Sequence, residues 1–182
     1  LLVEARLFVA QTADGGWYAV QGQEVYLPDT DRLAALLDSD AEIWAFDAKP
    51  LYRLALEQGH IGKALHFDGK LAAYLLNPSA TSYAVKSLAA EYGVAAAFHC
   101  EAAPDAGVLA ALLERLAAEL DASGQRKLHD EMELPLARVL ADMERIGFAV
   151  DADGIRAFGD SLRGELDGIL QNIYTEVGYE FN

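Results

Sequence analysis

Residues 64–78 read Ala64-Leu65-His66-Phe67-Asp68-Gly69-Lys70-Leu71-Ala72-Ala73-Tyr74-Leu75-Leu76-Asn77-Pro78. The first four residues predict a short strand. Asp68 then supplies a side chain that can cap a helix, and the apolar residues after it predict a helix that ends at Leu76, before Asn77-Pro78. A strand followed directly by a helix is typical of an α/β fold.

Further strands and helices are predicted on both sides of this stretch. The upstream strands are short and rich in β-branched or aromatic residues, and they comprise residues 1–5, 6–12, 16–21, 24–28 and 42–47. The predicted helices comprise residues 30–38 with Thr30 or Asp31 as cap, 50–59 from Pro50, 68–76, 82–92 with Thr81 or Ser82 as cap, and 104–122. Together these elements predict a mixed sheet flanked by helices.

From Gly124 onward the pattern changes to two long amphipathic helices. The first contains Pro135, where we expect a kink, and the second begins at Asp151. An internal proline and a length of only about two to three heptads favour a helical hairpin within the chain over a coiled coil between chains. The sequence therefore predicts two domains, residues 1–123 and residues 124–182.

Composition and charge exclude several classes of protein. The chain has 182 residues, 53% of them hydrophobic, with a formal net charge of −15, so we expect a sizeable core and poor binding to phosphate-rich nucleic acid. No apolar run is long enough to span a membrane. The single cysteine, Cys100, excludes an internal disulfide and suits the cytoplasm. The start has no initiator Met and no signal peptide, as expected for the interior of a longer protein.

Several blocks of the sequence resemble bacterial DNA polymerase I of family A. Residues 133–151 match that family's E-x-P-L…L-x-x-M-E-x-x-G block, and Glu180-Phe181-Asn182 matches the E-F-N that precedes its thumb region. Residues 45–49 and 67–78 are similar to its 3′–5′ exonuclease-type domain. The resemblance implies a ribonuclease-H-like α/β domain, followed by a helical hairpin at residues 128–178 that begins the polymerase region.

An active exonuclease domain of this type holds two divalent metal ions with four carboxylates, because Mg²⁺ prefers oxygen ligands and two ions clamp the attacking and leaving oxygens. The resemblance places the Asp-x-Glu motif of the first strand on Leu2 and Glu4, so the metal-bridging Asp is lost. The next Asp falls on Leu51. The Tyr-x-x-x-Asp motif falls on Glu101 and Asp105, so only its Asp is kept.

The retained acids also have structural explanations. Glu4 can be an outward-facing strand residue, and Asp105 follows a proline at a helix start, where the helix dipole favours a negative charge. Asp68 suits a helix cap better than a metal ligand, and Asp47 aligns with a position that is not a ligand. The histidines show no i, i+4 pairing, so we expect them at surface or core positions. They are His60, His66, His99 and His129.

The resemblance therefore implies a vestigial, non-catalytic scaffold domain within a DNA polymerase I that acts in replication and repair. This part would have no catalytic residue, metal or cofactor of its own, whereas the parent polymerase would use Mg²⁺. Its partners would be the absent polymerase domain and, through the parent, DNA. Two alternatives stay open. One is an active metal-dependent 3′–5′ proofreading exonuclease, in which Asp14 or Asp47 supplies the missing carboxylates; the other is an acidic protein-interaction module.

Overall fold

A five-stranded mixed sheet organises the protein in the computed structural model, which describes residues 6–181. The strands are β1 (Leu7–Gln11), β2 (Trp17–Gln21), β3 (Glu24–Tyr26), β4 (Ile43–Ala45) and β5 (Leu65–Asp68). They lie in the order β3-β2-β1-β4-β5. The β1–β2 and β2–β3 pairs are antiparallel, whereas β1–β4 and β4–β5 are parallel. The predicted mixed sheet is confirmed, and the strand predicted at residues 1–5 lies outside the described residues.

Helices precede and follow the parallel strands. They are α1 (Thr30–Leu37), α2 (Ala48–Glu57), α3 (Gly69–Leu76), α4 (Val85–Glu91), α5 (Ala106–Ala122), α6 (Arg126–Leu128), α7 (Leu134–Ile146) and α8 (Ala152–Val177). A π-helical turn, His129–Glu133, joins α6 to α7. None of the helices within residues 6–181 combines the length and the apolar character that a membrane crossing requires.

Four predicted helix starts within residues 1–123 are wrong by one to three residues, and one of them is that of α5, which begins at Ala106 rather than at residue 104. The cap of α1 is Asp29, whose carboxylate accepts a hydrogen bond from the Arg32 backbone N–H at 2.8 Å. Helix α2 begins before Pro50, since a proline in the first turn lacks only an N–H that has no partner within the helix. Helix α4 begins at Val85, because the Ser82 hydroxyl accepts from the Ala84 N–H and holds a turn rather than a helix.

The sheet is covered on two faces by separate hydrophobic clusters. One cluster joins aromatic side chains of the strands, such as Trp44 and Phe67, to the leucines of α5. The other joins β1 and β4 residues such as Val9 and Ile43 to buried side chains of α1, α2 and α7, including Leu51. Because alternate strand residues point to opposite faces, this β1–β4 pair supplies both clusters.

The helices after residue 124 belong to two compact units, one extending to Ile146 and the other comprising residues 147–182. The first unit passes beyond the predicted boundary at Gly124 because α7 packs against α2. A π-helical turn precedes Pro135, and in it the Leu134 N–H donates to the His129 carbonyl. The kink expected at Pro135 itself stays a prediction. In the second unit, α8 begins one residue after the predicted start at Asp151, and Asp151 caps it by accepting from the Gly154 N–H at 2.9 Å.

Candidate functional site

A cleft of about 500 Å³ opens beyond the carboxyl ends of the parallel strands β1 and β4. Loops at this end of parallel strands commonly form ligand sites in α/β folds. The lining residues come from five segments and comprise Ala10, Gln11, Thr12, Ala13, Phe46, Asp47, Lys70, Tyr83, Ala84, Val85 and Asp105. This cleft is the candidate functional site.

Asp47 and Lys70 form an ion pair in the cleft. The Lys70 ammonium donates to Asp47 Oδ2 at 2.6 Å. Asp47 lies two residues after the end of β4 and immediately precedes α2, but its side chain makes no capping hydrogen bond there. Its backbone is left-handed, with φ of 71°, a conformation that residues other than glycine adopt rarely. The carboxylate is thus turned toward the lysine rather than toward its own helix.

Asp105 is the second carboxylate of the cleft. It precedes α5 as the sequence predicts, and its side chain makes no capping hydrogen bond. Burial, together with the negative charge of Asp105, raises the pKa of the Tyr18 hydroxyl. Side chains at the end of β1 are neutral, since Gln11 and Thr12 line the cleft there.

Of the other residues predicted for the exonuclease motifs, Leu51 and Glu101 are described, and neither joins these two acids. Leu51 is fully buried in the hydrophobic cluster of α1 and α2 and does not line the cleft. Glu101 is exposed and is also absent from the lining. Leu2 and Glu4 lie outside the described residues. Asp14 is one source of a carboxylate in the exonuclease alternative. It lies in the β1–β2 turn, where its carboxylate accepts a hydrogen bond from the Thr12 hydroxyl. That hydrogen bond is the main cause of the lowered pKa of Asp14.

Asp68 has a structural role that extends beyond the predicted helix cap. Its carboxylate accepts from the N–H groups of Lys70 and Leu71 in α3 at 2.8 and 3.3 Å, which confirms the cap. It also accepts from the N–H groups of Asp47 and Ala48 at 3.1 and 2.7 Å, and so joins the starts of two helices. Burial raises the pKa of this carboxyl, although the backbone hydrogen bonds act in the opposite direction.

His129 completes this buried site from the π-helical turn, as a core histidine. Its Nε2 lies 3.3 Å from the Asp68 backbone nitrogen and 3.1 Å from the Asp68 carbonyl oxygen, and its ring lies against Phe67 at a centroid distance of 4.7 Å. Its Nδ1 lies 2.6 Å from Asp130 Oδ1. Burial would raise the pKa of Asp130, but hydrogen bonds from His129 and Arg126 outweigh it, so the pKa is lowered. Sequence reasoning missed these contacts because their partners are far apart in the chain.

The described residues of the cleft present two carboxylates, fewer than a two-metal centre uses. Within residues 6–181, no three side chains of Asp, Glu, His or Cys lie together as a metal site. Each ion of a two-metal centre needs several oxygen ligands, and the centre needs carboxylates around both ions. The carboxylates of the described cleft are those of Asp47 and Asp105, and Asp47 is already paired with the Lys70 ammonium.

Comparisons with known proteins agree with this fold. A family model described as "DNA polymerase I, ribonuclease H-like domain" matches residues 5–102. The chain is 32% identical to DNA polymerase I of Bacillus subtilis (strain 168) over 159 residues, an alignment that covers 76% of the chain and 18% of that relative. It is 36% identical to the thermostable DNA polymerase I of Thermus aquaticus over 140 residues, covering 74% of the chain and 16% of the relative.

A solved structure shares the fold over the whole chain. It is described as the "POL domain of Pol1 from M. smegmatis complex with DNA primer-template and dNTP", with a TM-score of 0.68, 23% identity, and coverage of 100% of this chain and 35% of that one. The chain therefore belongs to the family of ribonuclease H-like, exonuclease-type domains of DNA polymerase I. It spans less than a fifth of the length of the Bacillus and Thermus relatives.

Proposed function

We propose that this chain is a non-catalytic ribonuclease H-like domain of a DNA polymerase I, and that it is a scaffold for the polymerase part of the same protein. The described part of the cleft carries the proposal, since its two carboxylates, one of them paired with Lys70, are fewer than a two-metal centre uses. DNA synthesis in replication and repair, with its Mg²⁺, would belong to the part outside this chain. The proposal keeps the cytoplasmic location that the sequence predicts.

The two faces of α7 support the scaffold role. One face is buried within the sheet unit through Leu134, Ala137 and Ala141. The opposite face exposes large apolar side chains, which are Leu136, Val139, Leu140, Met143 and Ile146. Contiguous apolar surface of this kind marks interaction sites in folded proteins. We propose that the polymerase part covers this face.

Helix α8 supports the same role independently. No residue of α8 is buried, although its apolar side chains recur at helical spacing. Those exposed by more than a third are Ile155, Phe158, Leu162, Leu166, Ile169, Leu170, Ile173 and Val177. An amphipathic helix gains most of its stability from packing of the apolar face, so this face is expected to pack against the polymerase part.

An exonuclease assay tests the non-catalytic assignment. We expect no Mg²⁺- or Mn²⁺-dependent release of nucleotides from single-stranded DNA above background, and the same background rate for Glu4→Ala and Asp105→Ala variants. Metal-dependent release by the natural chain that either substitution abolishes would instead establish the proofreading exonuclease.

Paired substitutions test the scaffold role. In the full-length parent, Val139→Glu together with Met143→Glu is expected to lower the melting temperature and the polymerase activity. In this chain alone the same change is expected to have little effect, because the two side chains are already 53% and 61% exposed. Lys86→Glu, on the exposed face of α4, is the control. Equal, small effects in both proteins would contradict the scaffold role.

A further inference from the structure

We propose that the Lys70 ammonium is the resident cation of the cleft, where it neutralises Asp47 and excludes divalent metal ions. The inference rests on the proposed function, because it supposes that the cleft is not a working nuclease site. In this proposal, a positive charge of the chain itself occupies the position that a cation from solution would take.

The charges that line the cleft support this assignment. Lys70 is the basic residue among the described lining residues, and its Nζ lies 2.6 Å from Asp47 Oδ2. A divalent cation bound at Asp47 would have to lie within a few ångströms of this ammonium. Repulsion between like charges at that distance opposes metal binding even where solvent screens it.

The backbones of both partners are fixed by one buried group. Asp68 Oδ1 accepts from the Lys70 N–H at 2.8 Å and from the Asp47 N–H at 3.1 Å. Most ion pairs on a protein surface contribute little to the stability of the fold, because holding two mobile side chains in one geometry costs conformational entropy. Here the buried Asp68 carboxylate holds the two backbones in place, so the pair is a built feature of the cleft.

The conformation of Asp47 is a second, independent observation. Its left-handed backbone, with φ of 71°, is sparsely populated for a residue other than glycine, and such conformations persist only where the surrounding structure imposes them. The residue occupies the capping position of α2, yet its carboxylate does not cap that helix. The side chain is therefore free to bind the ammonium of Lys70.

Titration with Mn²⁺, followed by electron paramagnetic resonance of the free ion, tests the proposal. Lys70→Met removes the charge and keeps the length of the side chain, and it is expected to bind Mn²⁺ at least tenfold more tightly than the natural chain. Lys63→Met is the matched control, because Lys63 is 49% exposed against 47% for Lys70 and pairs with Asp40 at 2.9 Å outside the cleft. The control is expected to bind Mn²⁺ no better than the natural chain.

A double variant locates the gained site. Asp47→Asn added to Lys70→Met is expected to abolish the gain, and Lys70→Gln is expected to reproduce it should the methionine variant fail to fold. Equal Mn²⁺ affinity in the natural chain and the folded Lys70 variants would overturn the resident cation and leave the non-catalytic assignment standing. Tight binding of two Mn²⁺ ions by the natural chain would overturn both.

Discussion

Two sites in this molecule are built on aspartates and differ in burial and in hydrogen bonding. At the first, the Asp68 carboxylate is buried and accepts hydrogen bonds from four backbone N–H groups at the starts of α2 and α3. At the second, Asp47 and Asp105 line an open cleft, with Lys70 beside the former. The surroundings set the role of each acid: enclosed by N–H donors, Asp68 holds two helix starts together, whereas Asp47 in the open cleft is paired with an ammonium.

The largest expected effect is at Asp68. Asp68→Ala leaves four buried or partly buried backbone N–H groups without their acceptor, and we expect it to lower the free energy of unfolding by about 3 kcal/mol or more. Asp105→Ala removes only a favourable charge at the start of α5, which is worth less than about 1 kcal/mol. Urea denaturation followed by circular dichroism measures both, and similar losses would erase the contrast between the two sites.

The glycines beside the two sites, Gly107 and Gly69, differ in the atoms that an added Cβ would meet. A Cβ at Gly107 would lie 2.0 Å from the Phe98 carbonyl oxygen, so the backbone must move, and we expect Gly107→Ala to lower the free energy of unfolding by about 2–3 kcal/mol. A Cβ at Gly69 would lie 2.0 Å from a methyl group of Leu113, a side chain that can shift, so about 1–2 kcal/mol is expected. Thermal unfolding of both variants tests the order, which fails if Gly69→Ala is the more destabilised.

Alkaline pH tests the electrostatics around Asp68. Burial, and then the charge of Asp68, raise the pKa of Tyr52 to about 12, against about 10 in the unfolded chain. A pKa raised by folding contributes stability that is complete below pH 10 and is lost as the pH rises toward 12, about 3 kcal/mol in all. Unfolding free energies measured between pH 9 and 12 are expected to fall less steeply in Tyr52→Phe. Equal slopes in the two proteins would show that Tyr52 does not ionise differently on unfolding.

The smallest expected effect on stability is at Lys70. The Asp47–Lys70 pair is partly exposed, so Lys70→Met is expected to change the free energy of unfolding by less than about 1 kcal/mol. The same urea series measures it. A loss as large as that of Asp68→Ala would mean that the cleft pair, rather than the buried carboxylate, holds the two helix starts together.

Local patterns in the sequence predict much of this fold. Asp68 before an apolar run predicts the start of α3, and Asn77-Pro78 predicts its end, because capping and proline sterics act within a few residues. Pro50 misled the prediction of α2, since proline is tolerated anywhere in the first turn and does not mark one position. Short-range signals therefore identify helices better than they fix their first residues.

The sites depend on contacts between residues far apart in the chain. No local pattern indicates that Asp68 accepts from Asp47 and Ala48, which precede it by about twenty residues, or that His129 contacts it from about sixty residues away. The lost ligand that the resemblance places at Leu51 stays a prediction, and the structure shows this leucine buried in a hydrophobic cluster. Sequence reasoning placed Asp105 at a helix start, which the structure confirms, but not the ion pair of Asp47 with Lys70.

Anomalous diffraction from crystals of this chain grown with manganese locates every bound ion and so shows whether the cleft holds metal. We expect no manganese at Asp47 and Asp105, with the Lys70 ammonium against Asp47 instead. Two well-occupied ions in the cleft, bridged by these aspartates together with Glu4, would contradict this expectation.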